Sequence, residues 1–243
     1  MRVLCVVPAR GGSVGIKKKN LQEIHGISLV GWATIKSIKS GIFDKIIVST
    51  DSLEIAEEGI KYGATFNELR PQELSTSFVP DYQVLRHELF KNEAISGTKY
   101  DFIAMLQPTS PLRTIIEIQE SFAKLLENHN DSIWTVTRID SKYHFRKQLH
   151  IVDEKLQLVF DGPLVKARQE LSKVYIRNGS VYLLSRKVLI EKDNLLGEHP
   201  GWIESVGIRP NIDNINELEY CREISEIRNG DLVERNLESN EKD

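Results

Sequence analysis

The chain has 243 residues, 32 Lys and Arg against 35 Asp and Glu, a net charge of −3, and 40% apolar residues. That length suits one large α/β domain with a full hydrophobic core, and the balanced charge excludes a general nucleic-acid or anionic-membrane binder. Its two cysteines, Cys5 and Cys221, lie far apart and supply neither a disulfide framework nor metal-ligand spacing. The first residues lack a signal-like apolar stretch, and the first apolar run is too short to span a bilayer. A reduced, cytoplasmic setting without nucleic-acid or membrane partners is expected.

Val3-Leu4-Cys5-Val6-Val7 predicts a buried first strand. It runs into the Gly-rich, cationic stretch Pro8-Ala9-Arg10-Gly11-Gly12-Ser13-Val14-Gly15-Ile16-Lys17-Lys18-Lys19-Asn20. A loop leaving the carboxyl end of a strand lies where open α/β sheets bind ligands. Gly11, Gly12 and Gly15 let backbone N–H groups approach an anion. Arg10 and the three lysines add charge, and Ser13 adds a hydroxyl. The simplest ligand is a polyphosphate. The loop is neither Walker A, lacking Gly-Lys-Ser/Thr, nor the dinucleotide fingerprint, because its glycines do not fit G-x-G-x-x-G. A Gly-rich surface turn beside a solvated lysine run is the alternative.

Residues 27–39 carry Leu29, Trp32, Ile35 and Ile38 at helical spacing, stopped by Gly41. A β-branched strand follows at 44–50, then a helix at 52–62 with Asp51 or Ser52 as N-cap and Gly63 as C-cap. A short extended piece is expected at 64–66, a helix from Pro80-Asp81 to about 93, and an apolar strand at 100–106. An amphipathic helix at 115–128 and a strand at 132–137 continue the alternation. Such β-then-α order predicts a mainly parallel sheet with helices on both faces. After about 140 the rhythm changes. Residues 147–160 read as a hairpin around Asp153-Glu154, and 140–177 as an excursion that serves dimerisation or covers a site. A strand at 179–184, a short helix at 185–191, a strand at 203–208 and a closing helix at 214–228 complete a domain of residues 1–230. Residues 231–243 are expected to form a fraying, flexible tail.

A second motif, Leu106-Gln107-Pro108-Thr109-Ser110-Pro111-Leu112-Arg113-Thr114, sits at another strand-to-helix junction. Its prolines fix the backbone around Gln107 and Arg113. Gln107 can donate to and accept from a sugar or base, and Arg113 can bind a carboxylate or phosphate bidentately. A proline-stiffened loop with Thr114 as N-cap is the alternative.

These two motifs, with Ala9-Arg10-Gly11-Gly12-Ser13 and Lys19-Asn20 in the first, resemble those of the acylneuraminate cytidylyltransferase family, the CMP-sialic acid synthetases. Val48-Ser49-Thr50-Asp51 and Arg70-Pro71-Gln72-Glu73-Leu74 resemble the family's second strand and the segment after its third. Arg168-Gln169-Glu170-Leu171, Asn178-Gly179-Ser180-Val181-Tyr182 and Asn211-Ile212-Asp213 resemble its sugar-side and carboxylate motifs. The resemblance covers about residues 1–228. It implies a three-layer α/β/α Rossmann-like nucleotidyltransferase (nucleotide-diphospho-sugar transferase) fold. It also implies attack of the C2 hydroxyl of an acidic nine-carbon 2-keto sugar on the α-phosphate of CTP, releasing pyrophosphate, with Mg²⁺ assisting. Carried over, Arg10, Lys19 and Asp213 are catalytic. Gly11, Gly12, Ser13, Asn20 and Asp81 join Arg10 and Lys19 at the nucleotide. Gln107, Arg113, Arg168 and Asn178 hold the sugar, with Arg168 on its carboxylate. Asp213 and Asn211 face Mg²⁺, and the chain is a homodimer.

The chain departs from the family pattern at three places. Val14 replaces a loop lysine, which Lys17 or Lys18 must then compensate. Asn211 replaces an aspartate. Ser77-Phe78-Val79-Pro80-Asp81 replaces a Ser/Thr-rich segment that helps read cytosine. Two further readings follow: a guanylyl- or other nucleotidyltransferase acting on an amino-sugar 1-phosphate, and a catalytically degraded nucleotide-sugar binder.

Overall fold

A computed structural model describes residues 1–13, 15–127, 129–165 and 167–235. Val14 and residues 236–243 lie outside the described residues, so the comparison of Val14 with lysine and most of the expected tail do too. Strand β1 (Val3–Pro8) is apolar and buried along its length, and it leads into the Gly-rich loop. A tight hairpin, β2 (Glu23–Ile24) and β3 (Ile27–Ser28), then turns the chain into α1 (Leu29–Ser40). Ser28 caps α1 by accepting the Gly31 N–H at 3.0 Å, and Gly41 ends it at φ 68°, a left-handed conformation that favours glycine. Strand β4 (Lys45–Ser49), α2 (Leu53–Lys61), α3 (Asp81–Ser96), β5 (Phe102–Met105), α4 (Ile115–Glu127) and β6 (Ser132–Arg138) follow.

The excursion then carries a hairpin, β7 (Leu149–Val152) and β8 (Lys155–Leu158). Its two-residue turn places Asp153 at φ 47° and Glu154 at φ 60°, the pattern of a type I′ hairpin. Strand β9 (Tyr175–Ser185), α5 (Arg186–Glu191), β10 (Pro200–Glu204) and α6 (Ile215–Ile224) return the chain to the domain. A last hairpin, β11 (Ser225–Arg228) and β12 (Asp231–Glu234), closes the described chain.

The central sheet has the order β10-β6-β9-β5-β1-β4. Every pairing is parallel except those of β9, which is antiparallel to both β5 and β6. Alternation along β1 sorts the core. Val3, Cys5 and Val7 pack with Val30 and Ala33 of α1, Ile55 of α2 and Ile118 of α4. Leu4 and Val6 pack on the other face with Leu85 and Leu89 of α3 and Leu189 of α5. The result is the expected three-layer α/β/α arrangement. A third cluster, with Ile24, Trp32, Leu112, Leu218 and Leu232, seats the small hairpins and α6 against α1.

Several boundaries differ from the sequence expectation; β9, for one, begins at Tyr175 instead of 179. The closing helix stops at Ile224 instead of 228, because β11 begins at Ser225. The strand expected at 203–208 runs from Pro200 to Glu204. The tail expected from 231 begins as β12, paired to β11 with Leu232 fully buried. Ile38, placed on the core face of α1 by spacing, is 46% exposed.

Candidate active site

Parallel strands β1, β4 and β5 all end at the same edge, and the chain's two Gly/Pro motifs leave β1 and β5 there. Between them opens a cavity of about 480 Å³. Arg10, Ser13, Gly15, Lys19 and Asn20 of the first loop line one side. Gln107, Pro108 and Thr109 of the second loop, with Asn211 and Asp213, line another. Asp81 at the start of α3, and Arg70, Thr76, Ser77 and Val79 before it, complete the wall. The edge read from the sequence is therefore the edge that carries the cavity.

The first loop is braced from several sides. Asn20 is buried and donates Nδ2–H to the Arg10 carbonyl at 2.9 Å, so it shapes the loop as well as lining the cavity. Arg10 folds back to donate Nη1–H to the Gly12 carbonyl. Lys19 Nζ donates to Asp213 Oδ1 at 2.9 Å and to the Ile212 carbonyl at 3.0 Å, joining the two ends of the chain. Gly15 is required at this junction: a Cβ there would fall 2.2 Å from the Asp213 carbonyl oxygen. The Gly11 N–H, expected to face an anion, donates to Asp51 Oδ1 at 2.7 Å, and Gly11 and Gly12 lie outside the cavity lining. Lys18, a candidate to replace the missing loop cation, is tied to Glu54 of α2 at 2.7 Å.

The second loop owes its shape to Arg113. This side chain is fully buried; Nε donates to the Ser180 carbonyl at 2.8 Å and Nη2 to the Gln107 carbonyl. Burial lowers its pKa to about 10. Arg113 is therefore an internal strut beneath the loop, which corrects its assignment to the sugar. Gln107 does reach the cavity, with Nε2 3.5 Å from Asp81 Oδ2. Beneath it Gly179 sits at φ 74°, where a Cβ would meet Gln107 Oε1 at 2.7 Å. Glycine answers both constraints at once.

Asn178, expected to hold the sugar, instead lies outside the cavity lining. It is 4% exposed, and its amide is committed inside the protein. Nδ2 donates to Thr137 Oγ1 at 3.0 Å and Ser205 Oγ at 2.7 Å. Oδ1 accepts from Thr135 Oγ1 at 2.8 Å and the Ser180 N–H at 3.1 Å. These bonds fill the gap where the β6–β9 register shifts between Trp134 and Val136. Arg168 stands exposed on the excursion, outside the cavity lining.

Arg70 is a charged cavity residue that the sequence reading left without a role. It is 6% exposed, and its Nε and Nη2 have no partner inside the protein. Burial lowers its pKa, opposed by the nearby charges of Asp51 and Glu88. A desolvated guanidinium with open donors on a cavity wall is built to meet an acceptor on a ligand. Its signal was the Arg-Pro turn following the short extended piece. Asp81, on the same wall, has its pKa raised by burial, against the pull of Arg177 and Arg70. Phe78, between the lining residues Ser77 and Val79, is 94% exposed.

Among the described residues, no group of three or more His, Cys, Asp or Glu is placed to hold a metal, and no helix is long and apolar enough to cross a membrane. Among the described residues lining the cavity, the carboxylates are those of Asp81 and Asp213, and the side-chain amides are those of Asn20, Gln107 and Asn211. That set suits Mg²⁺ held mainly by phosphate oxygens and water, not a metal caged by protein.

The fold is shared with a solved CMP:2-keto-3-deoxy-manno-octonic acid synthetase complexed with CTP, at TM-score 0.70 and 14% identity, over 92% of this chain and 98% of that one. The sequence profile of the cytidylyltransferase family matches residues 4–229, and the chain belongs to that family. Among its relatives, the post-translational flagellin modification protein B of Campylobacter coli is 30% identical over 206 residues, covering 82% of this chain and 84% of the relative. The pseudaminic acid cytidylyltransferase of Campylobacter jejuni is 28% identical over 230 residues, covering 91% and 95%.

Proposed function

We propose that this enzyme joins CMP from CTP to a nonulosonic acid of the sialic, legionaminic or pseudaminic type, releasing pyrophosphate, in the cytoplasm and for surface glycans. The observation that carries the reading is one cavity lined by Arg10, Ser13 and Lys19 of the first loop together with Gln107, Asn211 and Asp213. Names of relatives support the choice of acid. Phosphoryl transfer needs positioning and charge stabilisation above all. Arg10 and Lys19 neutralise the triphosphate, and Ser13 bonds its oxygens. Arg70 offers its open donors to the nucleotide. Gln107 orients the acceptor so that its C2 hydroxyl lines up with the α-phosphate.

Asp213 and the Asn211 carbonyl would hold Mg²⁺ together with phosphate oxygens. When bound, Mg²⁺ supplies charge neutralisation on the transferring phosphate. Lys19 is at present shared with Asp213, so triphosphate entry redistributes that pair.

The working form is a homodimer. An isolated two-stranded hairpin is marginal in water, yet among the described residues β7 and β8 pair only with each other and expose Leu149, Ile151 and Leu156. A second copy covers this face. Arg168 sits on the same excursion, so the dimer decides which subunit's cavity it serves.

The test is pyrophosphate release with Mg²⁺, CTP and a panel of nonulosonic acids. Release with one acid, abolished by a chelator, is expected. Release only with GTP and an amino-sugar 1-phosphate would refute the substrate pair.

A further inference from the structure

Two segments of the cavity wall come from distant parts of the chain, and the side chain that joins them lies behind the wall. Arg209 donates Nε–H to Glu117 Oε1 at 3.0 Å and lies 3.2 Å from Oε2. The pair is buried on both sides, at 6% and 5% side-chain exposure. Glu117 is itself fixed. Its Oε2 accepts the Thr114 N–H at 2.6 Å, and Thr114 Oγ1 accepts the Glu117 N–H at 3.0 Å. This is a reciprocal cap on the first turn of α4. Through it the carboxylate is rooted at the base of the loop that carries Gln107. Through Arg209 the same carboxylate holds the segment that ends in Asn211 and Asp213.

The C-terminal hairpin backs the pair. Glu234 of β12 accepts the Ile208 N–H at 2.9 Å and lies 3.8 Å from Arg209 Nη1. Lys36, 1% exposed, donates to the Arg113 carbonyl at 2.5 Å and to the Leu232 carbonyl at 2.6 Å. Hairpin, second loop and carboxylate segment are thus joined in one polar network.

Two other links join the same segments to the cavity: Lys19 to Asp213, and the Ile212 N–H to the Thr109 carbonyl at 2.8 Å. The first is open to competition, because a triphosphate is an anion for Lys19. The Arg209–Glu117 pair is out of a ligand's reach. We propose that Arg209 is a positioning residue for nucleotidyl transfer, holding Asn211 and Asp213 at a set distance from Gln107 when substrate draws on Lys19. This inference rests on the cytidylyl-transfer reading above.

The experiment compares Arg209→Lys and Arg209→Met with the wild type in pyrophosphate release, and follows backbone amide exchange by mass spectrometry in the same samples. Arg209→Met is expected to lower kcat about 10- to 100-fold, the scale of a misplaced reacting group, with the KM for CTP little changed. Arg209→Lys keeps the charge but not the planar fork, and should recover part of that loss. Exchange should quicken at 106–113 and 205–213 in both variants, while β1 and β5 stay protected. Should the Met variant fail to fold, the Lys variant carries the comparison. Wild-type kcat in a folded variant, a loss confined to KM, or unchanged exchange in both segments overturns the proposal. A wild type inactive with every acid would refute the substrate reading, and the exchange result would still decide whether Arg209 braces the two segments.

Discussion

Replacing Asn178 by alanine separates a scaffold role from a substrate contact. The methyl group removes two donated and two accepted hydrogen bonds, and it strands the Ser180 N–H, Ser180 being 0% exposed. Each lost bond is worth about 1 kcal/mol net, and a stranded buried group costs about 1–3 kcal/mol. The hydroxyls of Thr135, Thr137 and Ser205 can rotate toward other partners, and Thr135 Oγ1 already bonds the Val181 carbonyl at 3.2 Å. A destabilisation of about 3–5 kcal/mol follows, a large share of the 5–15 kcal/mol typical of a folded domain. Urea unfolding followed by fluorescence measures it, and pyrophosphate release at low temperature gives the KM for the acid. The expected result is a large fall in stability with the KM of the folded fraction unchanged. Stability equal to wild type, with the KM raised tenfold or more, would refute the reasoning and return Asn178 to the sugar.

Arg70→Met should weaken CTP by about 10- to 100-fold in KM, the value of a hydrogen bond to a charged group. Its thermal stability should hold or rise, because an unpartnered buried cation has been removed; a fall in stability with unchanged KM would contradict the assignment. Lys36 has its pKa lowered from 10.5 to about 8 by burial, partly opposed by Asp231. Between those two values the unfolded chain binds more protons than the folded one, so wild-type stability should rise with pH across that window. Lys36→Met should lack this rise, which amounts to at most about 3 kcal/mol; parallel pH profiles would disprove it. Ile151 and Leu156 face each other across the β7–β8 hairpin. Changing both to aspartate should give a monomer by light scattering, and an unchanged mass would remove the hairpin from the interface.

Much of this architecture is legible in the sequence because each strand is a short apolar, often β-branched run followed by an amphipathic helix. Val3 to Val7 and the 44–50 run show this plainly. The closing helix was over-extended for an identifiable reason. Ile215, Leu218, Cys221 and Ile224 lead on to Ile227 at near-helical spacing, and periodicity alone does not mark the switch at Ser225. The local signal was Asn229-Gly230, whose φ values of 53° and 69° form the turn between β11 and β12. The His25-Gly26 turn joins strands of two residues each, too short for any period to show.

The site was half legible. Arg10, Ser13, Lys19, Asn20, Asp81, Gln107, Asn211 and Asp213 do meet in one cavity. Arg113 and Asn178 carry the chemistry of ligand contacts, yet both are buried away from the cavity lining, with Arg113 Nε and Nη2 and the Asn178 amide bonded inside the protein. Residue type cannot separate those uses; burial and partners do. Arg70 is the converse case, a buried cation whose open donors become visible only when its surroundings are known.

The antiparallel strand β9 has a consequence for how the chain is made. Strands β4, β1 and β5 form one block and β6 with β10 another, and only β9 joins them. A growing chain that has emerged as far as the excursion therefore carries an open edge on β5 and a β6 with no sheet partner on either side. Residues 175–185 join the two, and β10 covers the far side of β6 only later. Until they leave the ribosome, this nascent protein is open to strand pairing with its neighbours.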